Sequence, residues 1–282
     1  MKIRRKPEWL KIKIGGGKGG SRVRQILDKY KLNTVCDSAE CPNRGECYER
    51  RVATFLILGN ICTRGCTFCS VTSGTPEKID ESEAENLAYA AKELNLKHVV
   101  ITSVTRDDLE DGGVNHFVKC VENVLENSPE TTVEVLTPDF KGDKNAIKKI
   151  CESGISVYNH NIETVKRFYG VIRLGADYDT SLDILKYASG FEGIIIKSGF
   201  MVGLGETKEE INDLMDDLFI HGVRSLTIGQ YLQPRRVNVE VEKYYSPEEF
   251  AELEELARKK GFIYINSGPL VRSSYHAEEF QD

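Results

Sequence analysis

With 282 residues, 40% of them apolar and 29% charged, the chain holds enough hydrophobic material for one α/β barrel or two smaller domains. Its net charge of −6, from 38 Lys plus Arg against 44 Asp plus Glu, argues against a nucleic-acid partner, which needs a cationic footprint. No run reaches the ~18 apolar residues of a membrane span, so no membrane partner is expected.

The opening MKIRRKPEWLKIK is a basic arm without the apolar h-region of a secretory signal. A cytoplasmic location follows, where thiols stay reduced and disulfides are rare. Next, GGGKGG sets Gly15, Gly17 and Gly20 in G-x-G-x-x-G spacing, between WLKIKI and the helix-like SRVRQILDKY. That spacing, with Asp37 near the acidic position, matches a dinucleotide fingerprint. WLKIKI, however, alternates Lys with Ile as a half-exposed strand does, whereas a central parallel strand is buried on both faces. Gly19 after Lys18 also excludes a P-loop, and the segment reads as a connector.

Six of the eight cysteines then crowd residues 36–69. Cys36, Cys41 and Cys47 have C-x4-C-x5-C spacing, and Cys62, Cys66 and Cys69 have C-x3-C-x2-C spacing. Cys120 and Cys151 fall in helical patterns and read as plain buried thiols.

Around and beyond these triplets, short β-branched runs alternate with stretches of helical period, which predicts βα units and a parallel sheet. The strands expected are TFLILG (54–59), HVVITS (98–103), TVEVLT (132–137), ISVYN (155–159), IIIKSG (194–199) and SLTIGQ (225–230). Helices are expected from Glu81 and from Lys208; the former puts Ala84, Leu87, Ala88 and Ala91 on one face. A doubly wound open sheet fits the same alternation. Polar motifs after every strand, such as SVTRDDLEDGG, NHNIET and YLQPRR, favour a barrel-like sheet, whose active site gathers the βα loops. Residues 54–239 form that barrel in this reading, flanked by an N-terminal extension, 1–53, and a C-terminal one, 240–282. The latter carries a helix capped by Ser246 with Pro247 at its first position, a short strand FIYIN, and a polar tail.

Three cysteines are an odd number for a metal site. Structural zinc takes four Cys or His ligands, and no fourth stands near Cys62, Cys66 and Cys69. A four-iron cubane held by three thiolates keeps one iron open to a substrate. The C-x3-C-x2-C loop with Phe68 before its last cysteine resembles the signature of radical S-adenosylmethionine (SAM) enzymes. That resemblance implies an α/β fold with a partial (β/α)6 TIM-like barrel, a [4Fe-4S] cluster on Cys62, Cys66 and Cys69, and SAM chelated at the open iron. Electron transfer there splits SAM to a 5′-deoxyadenosyl radical.

The upstream triplet resembles the auxiliary-cluster motif of lipoyl synthases. TSVTRDDLEDGG, NHNIETV, KSGFMVGLGET, TIGQYLQP and SGPLVRSSYHA resemble segments of the same family, in order, out to residue 277. The family resemblance implies a second [4Fe-4S] cluster on Cys36, Cys41, Cys47 and Ser274, the second serine of R-S-S-Y. Taken alone, Ser273 and Ser274 read as part of a polar tail. The implied reaction inserts two sulfur atoms at C6 and C8 of an octanoyl group carried on a lysine. The carrier is a glycine-cleavage H protein or an E2 subunit of a 2-oxoacid dehydrogenase, and an electron donor is also required.

Phe68, Asn159, Asn161, Arg173 and Lys197 are the SAM contacts this reading suggests. Arg173 would pair with the methionine carboxylate, and Lys197 ends a buried strand where a charge needs a partner. His160 reads equally as a structural histidine, Gly203 and Gly205 as close-approach positions for the cofactor, and Arg106, Asp107 and Asp108 as mutual ion pairs. Asn60, Leu174 and Asn238 replace the acidic residue, the proline and the histidine of the family pattern; none is a cluster ligand. The alternatives are a biotin synthase-like sulfurtransferase, whose second cluster is held by barrel residues, a non-catalytic zinc or iron–sulfur protein, and a cluster-bearing paralogue that modifies nothing.

Overall fold

The predicted alternation of strands and helices resolves into one large sheet. The computed structural model describes residues 6–11, 18–39, 41–50, 53–275 and 277. Gly15 and Gly17 of the glycine motif lie outside the described residues, and Gly20 belongs to a helix, α1 (Lys18–Lys29). The described part of WLKIKI is not a strand. Glu8–Leu10 form one 3-10 turn behind Pro7, and the Trp9 indole N–H donates to the Tyr245 carbonyl at 3.2 Å.

The N-terminal segment continues through β1 (Asn33–Thr34), α2 (Val35–Ser38) and α3 (Arg44–Glu49). The repeating part begins at β2 (Thr54–Ile57), followed by a two-stranded ribbon of β3 (Ile61–Cys62) and β4 (Thr72–Ser73). Then come α4 (Glu83–Leu94), β5 (His98–Ser103), α5 (Val114–Asn127), β6 (Thr132–Leu136), α6 (Lys144–Glu152) and β7 (Val157–Asn159). The chain closes with α7 (Tyr169–Ile172), α8 (Tyr178–Ala188), β8 (Ile195–Val202), α9 (Lys208–Ile220), β9 (Ser225–Gln230), α10 (Pro247–Lys260) and β10 (Tyr264–Gly268).

The sheet order is β1-β2-β5-β6-β7-β8-β9-β10, parallel throughout except for the antiparallel β1–β2 pair. All six expected strands are present. FIYIN contributes to β10, a further parallel strand registered as Tyr264↔Ser225 against β9. The first strand stops short of Gly59 because Leu58 (φ 66°) and Gly59 (φ 90°) turn left-handed. The fifth runs past Gly199, because Met201 and Val202 stay paired with Gly229 and Gln230.

Helices α4, α5, α6 and α8 pack in succession around the outside, with α9 against α10. The predicted face of α4 is fully covered: Ala84, Leu87, Ala88 and Ala91 are at most 2% exposed. Leu87, the one large side chain among them, stabilises the fold by roughly 1.5–3 kcal/mol. Cys120 and Cys151 are buried, the plain thiols expected. Both α9 and α10 open on capping boxes, Thr207 with Glu210 and Ser246 with Glu249, and Gly261 (φ 100°) ends α10 in the left-handed region.

The inner face of the sheet is polar. Glu134 on β6 and Lys197 on β8 have no exposed side-chain surface, and Lys197 Nζ donates to both carboxylate oxygens at 3.0 and 2.9 Å. Burial pushes the Glu134 carboxyl up, but Lys197 and His98 outweigh it and hold the group at about 2. Breaking such a pair leaves a charge buried without a counter-ion. Lys197→Met should therefore destabilise the protein by about 3–5 kcal/mol, read as a lower urea midpoint. Lys197→Met/Glu134→Leu should recover most of that loss. A single variant as stable as the parent would show that the pair contributes nothing.

Candidate metal centre and cofactor cavity

The C-terminal ends of the strands open on a cavity of ≈ 600 Å³. Its walls come from the loops after β2, β5, β6, β7 and β9, from β8, from the α2–α3 segment and from the turn at residues 271–275. All six clustered cysteines and Ser274 line this one space, and every cysteine is free of disulfides.

Cys62 ends β3, Cys66 and Cys69 lie in the loop to β4, and the Cys69 N–H donates to the Cys66 carbonyl at 3.1 Å. The backbone N–H groups of Arg64 and Val71 donate to the Cys62 and Cys69 sulfurs, each at 3.4 Å. Arg64 fastens this loop to two others. Its Nε and Nη2 donate to Asp107 at 2.7 and 3.0 Å, and Nη1 and Nη2 to Asp139 at 2.6 and 2.8 Å. Only 8% of the Arg64 side chain is exposed. Burial raises the Asp139 carboxyl, yet the guanidinium holds it at about 2. Thr63 adds a second tie, its N–H and Oγ donating to the Thr105 carbonyl at 3.0 and 2.9 Å. On the other side Asn238 Nδ2 donates to the carbonyls of Thr67 and Cys69 at 3.0 and 2.9 Å.

The second triplet lines the same cavity. Thr34 caps α2, which carries Cys36; the Cys41 N–H donates to the Cys36 carbonyl at 3.0 Å, and Cys47 lies on α3. Ser70 Oγ donates to the Ser38 carbonyl at 2.8 Å, tying this segment to the first cysteine loop. Asn43 Nδ2 donates to the Leu270 carbonyl at 2.6 Å, and Tyr275 OH to Glu46 at 3.1 Å, tying it to the C-terminal turn. The two adjacent serines differ. Ser273 Oγ accepts from Asn159 Nδ2 (2.9 Å) and donates to Asn161 Oδ1 (3.0 Å), whereas Ser274 Oγ bonds to no described residue.

Burial pushes the Cys36 thiol up to about 11 and Cys66 to about 12, and raises Cys69 as well. Neutral thiols are therefore the stable form until a cation compensates a thiolate, as cluster iron would. The donor set fits two three-thiolate sites. Among the described residues no three His, Cys, Asp or Glu side chains converge on one point as a single-ion site requires, whereas a cubane takes its thiolates at separate corners.

Of the expected cofactor contacts, Phe68, Asn161 and Arg173 line the cavity. Asn159 and Lys197 lie beneath it, Asn159 donating to Glu134 at 2.7 Å and Lys197 paired with the same carboxylate. Arg173 donates to Tyr169 OH, to Ser181 Oγ and to His160 Nε2, all neutral, and feels the field of Glu163. Burial, then the Arg173 charge, lowers His160 to about 3, so the ring is neutral. Its Nδ1–H donates to the Thr137 carbonyl at 2.9 Å, which leaves Nε2 free to accept from Arg173. Gly203 and Gly205 face their own chain: a Cβ on Gly203 would stand 2.2 Å from Gln230 Nε2, and one on Gly205 3.5 Å from Glu242 Cγ. Arg106 pairs with Asp108 at 2.8 Å, as expected, but Asp107 turns to Arg64.

Sequence reasoning passed over Arg64 and Glu163. Glu163 lines the cavity with a left-handed backbone (φ 67°), accepts from Asn161 Nδ2 at 3.1 Å, and has its carboxyl raised by burial. An arginine inside a cysteine loop was the available signal for the first.

Arg64→Lys keeps the charge but cannot fork between two carboxylates. It should weaken cluster retention roughly 10–100-fold, as partners of metal ligands typically do, read as iron lost to a chelator. Retention equal to the parent's would make the clamp dispensable.

The Radical SAM superfamily profile matches residues 56–218. The chain is 52% identical to the lipoyl synthase of Caldanaerobacter subterraneus subsp. tengcongensis over 275 residues, 97% of this chain and 96% of that one. It is 49% identical to the lipoyl synthase of Rubrobacter xylanophilus, over 97% of this chain and 86% of that one. Streptococcus suis SuiB bound to S-adenosylmethionine shares the fold at 13% identity, with a TM-score of 0.59 over 79% of this chain and 53% of that one. At half identity along nearly its whole length, the chain belongs to the lipoyl synthase family within the radical SAM superfamily.

Proposed function

We propose that this chain forms the lipoyl group by radical insertion of two sulfur atoms at C6 and C8 of a carrier-bound octanoyl group, with one cluster in each cysteine triplet. Family membership establishes a sulfurtransferase that uses SAM and an iron–sulfur cluster and acts on a lipoyl carrier. The observation that carries the two-cluster reading is that both triplets open on one cavity, which the hydroxyl of Ser274, bonded to no described residue, also lines.

C6 and C8 carry strong, nonpolar C–H bonds that no protein base can deprotonate, so acid–base chemistry is excluded. Cluster and SAM, when bound, supply the one-electron chemistry such bonds require. The residues hold, orient and exclude water. Cys62, Cys66 and Cys69 hold the radical-generating cluster. Cys36, Cys41, Cys47 and Ser274 hold the sulfur-donating one, where a hard serine oxygen is the weakest attachment in a soft-ligand set. Arg173, presented by neutral partners, pairs with the cofactor carboxylate, while Asn161 and Glu163 offer hydrogen-bonding groups to its hydroxyls. Phe68 packs with Ile172, Leu204 and Tyr231 into an apolar wall. Asn159 and Lys197 support this constellation from below. Val35, Leu56, Val104 and Leu136 also line the cavity, a surface suited to an eight-carbon chain and to keeping water out.

The carrier is an H protein of glycine cleavage or an E2 subunit, which presents the acyl group on a lysine arm; an electron donor completes the system. Reconstituted protein should hold about eight irons, falling to about four in Cys62/Cys66/Cys69→Ala. An octanoylated carrier peptide should yield a dithiolane. About four irons in both proteins would leave the radical loop empty and end the proposal. Cys36→Ala should cleave SAM but transfer no sulfur, and Ser274→Ala should cleave SAM with impaired insertion. A folded Cys36→Ala variant lacking both activities would sink the division of labour.

A further inference from the structure

The geometry points to Ser273 as the positioning residue that leaves Ser274, and not itself, available to the second cysteine triplet. The inference rests on the two-cluster reading above. Two neighbouring hydroxyls reach this part of the cavity, and Ser273 is already committed: it accepts from Asn159 and spends its one proton on Asn161. Ser274 Oγ, which lines the same cavity as Cys36, Cys41 and Cys47, bonds to no described residue.

The anchor beneath Ser273 is rigid. Asn159 is fully buried, and its amide also donates to Glu134, whose two oxygens are held by Lys197. A strand, a buried ion pair and an amide thus fix the hydroxyl of Ser273 in place. The backbone of the turn is set independently. A Cβ on Gly229 would stand 2.3 Å from the Val271 carbonyl oxygen, so only glycine admits this approach. Asn266 Nδ2 donates to the Tyr275 carbonyl at 3.1 Å, and Asn43 grips the Leu270 carbonyl. With both ends of the turn held, tying down the side chain of Ser273 decides which way its neighbour faces.

The same contact joins the two halves of the cavity. Asn161 receives the Ser273 proton on its oxygen and donates its N–H to Glu163 on the other side. The serine segment is therefore linked through Asn161 to Glu163, the carboxylate whose charge acts on Cys66 and Cys69.

The test uses the Cys62/Cys66/Cys69→Ala protein, in which only the second site remains, reconstituted anaerobically with 57Fe. Mössbauer spectra and iron content are recorded for this parent and for added Ser274→Ala, Ser273→Ala and Ser273→Thr, with thermal melts to check folding. The parent should hold about four irons with one oxygen-ligated component. Ser274→Ala should lose that component. Ser273→Ala should lose it too, although Ser274 is intact, and Ser273→Thr, which keeps the hydroxyl, should restore it. A parent-like spectrum in Ser273→Ala beside an altered one in Ser274→Ala would overturn the inference alone. A parent without a four-iron cluster, or a Ser274→Ala spectrum equal to the parent's, would overturn the two-cluster reading and this inference with it.

Discussion

Glu134 and Lys197, facing one another across β7 with no exposed surface, are the constraint on which the polar interior depends. Desolvating two ions costs several kcal/mol each, so such a pair adds little net stability over a well-packed apolar one. What it adds is direction. A carboxylate fixed by a lysine gives the Asn159 amide one orientation, and that amide then has one N–H left for Ser273. A chain of three buried polar groups carries the geometry of the barrel interior up to the C-terminal turn. An apolar interior of equal volume would support the same strands without aiming anything at the cavity.

A second set of contacts works at the level of the loops. The first cysteine loop is only nine residues from Thr63 to Val71, too short to build a core of its own. It is held by Arg64 from the β5 and β6 side, by Asn238 from the β9 side, and by Ser70 against the second triplet. Each tie comes from a different element, so the loop cannot shift without breaking several at once. The raised thiols complete the picture. An environment that keeps Cys36 and Cys66 neutral opposes free thiolates, so metal loading and proton release are coupled there.

The parts of this design readable in the sequence are those whose partners are local. Cysteines spaced two to five residues apart declare a shared ligand, and β-branched runs declare a buried strand because a parallel sheet is covered on both faces. Strand ends were less legible: Leu58 adopts a left-handed φ without being glycine, which no propensity rule anticipates. Long-range pairs were invisible. Lys197 announced a need for a partner, but Glu134 lies 63 positions away; Arg64 takes its carboxylates from 43 and 75 positions away. The glycines of GLGET misled for a related reason. Gly203 does mark a close approach, but of the chain to itself at Gln230 and Lys243.

The departures from the family pattern can be weighed in the same terms. Asn238 stands where a histidine is common, yet its amide makes the two hydrogen bonds that hold Thr67 and Cys69, a task that needs a donor rather than a ring. Leu174 replaces a proline inside a turn closed by the Ala176 N–H on the Arg173 carbonyl at 3.1 Å. Gly175, with φ 79°, occupies the position of that turn that demands a positive φ. Proline before it would pre-set a favourable φ and act mainly by narrowing the unfolded ensemble, an effect of about 0.4–1 kcal/mol. It would also push Arg173 toward ψ of about 120–160°. With leucine, Arg173 instead takes ψ 67° and still reaches His160 and Tyr169. The glycine carries the turn and keeps its backbone close against Arg64, where a Cβ would meet Cδ at 3.3 Å. The substitution therefore costs chain stiffness, while Arg173 keeps its hydrogen bonds to His160 and Tyr169 with leucine in place.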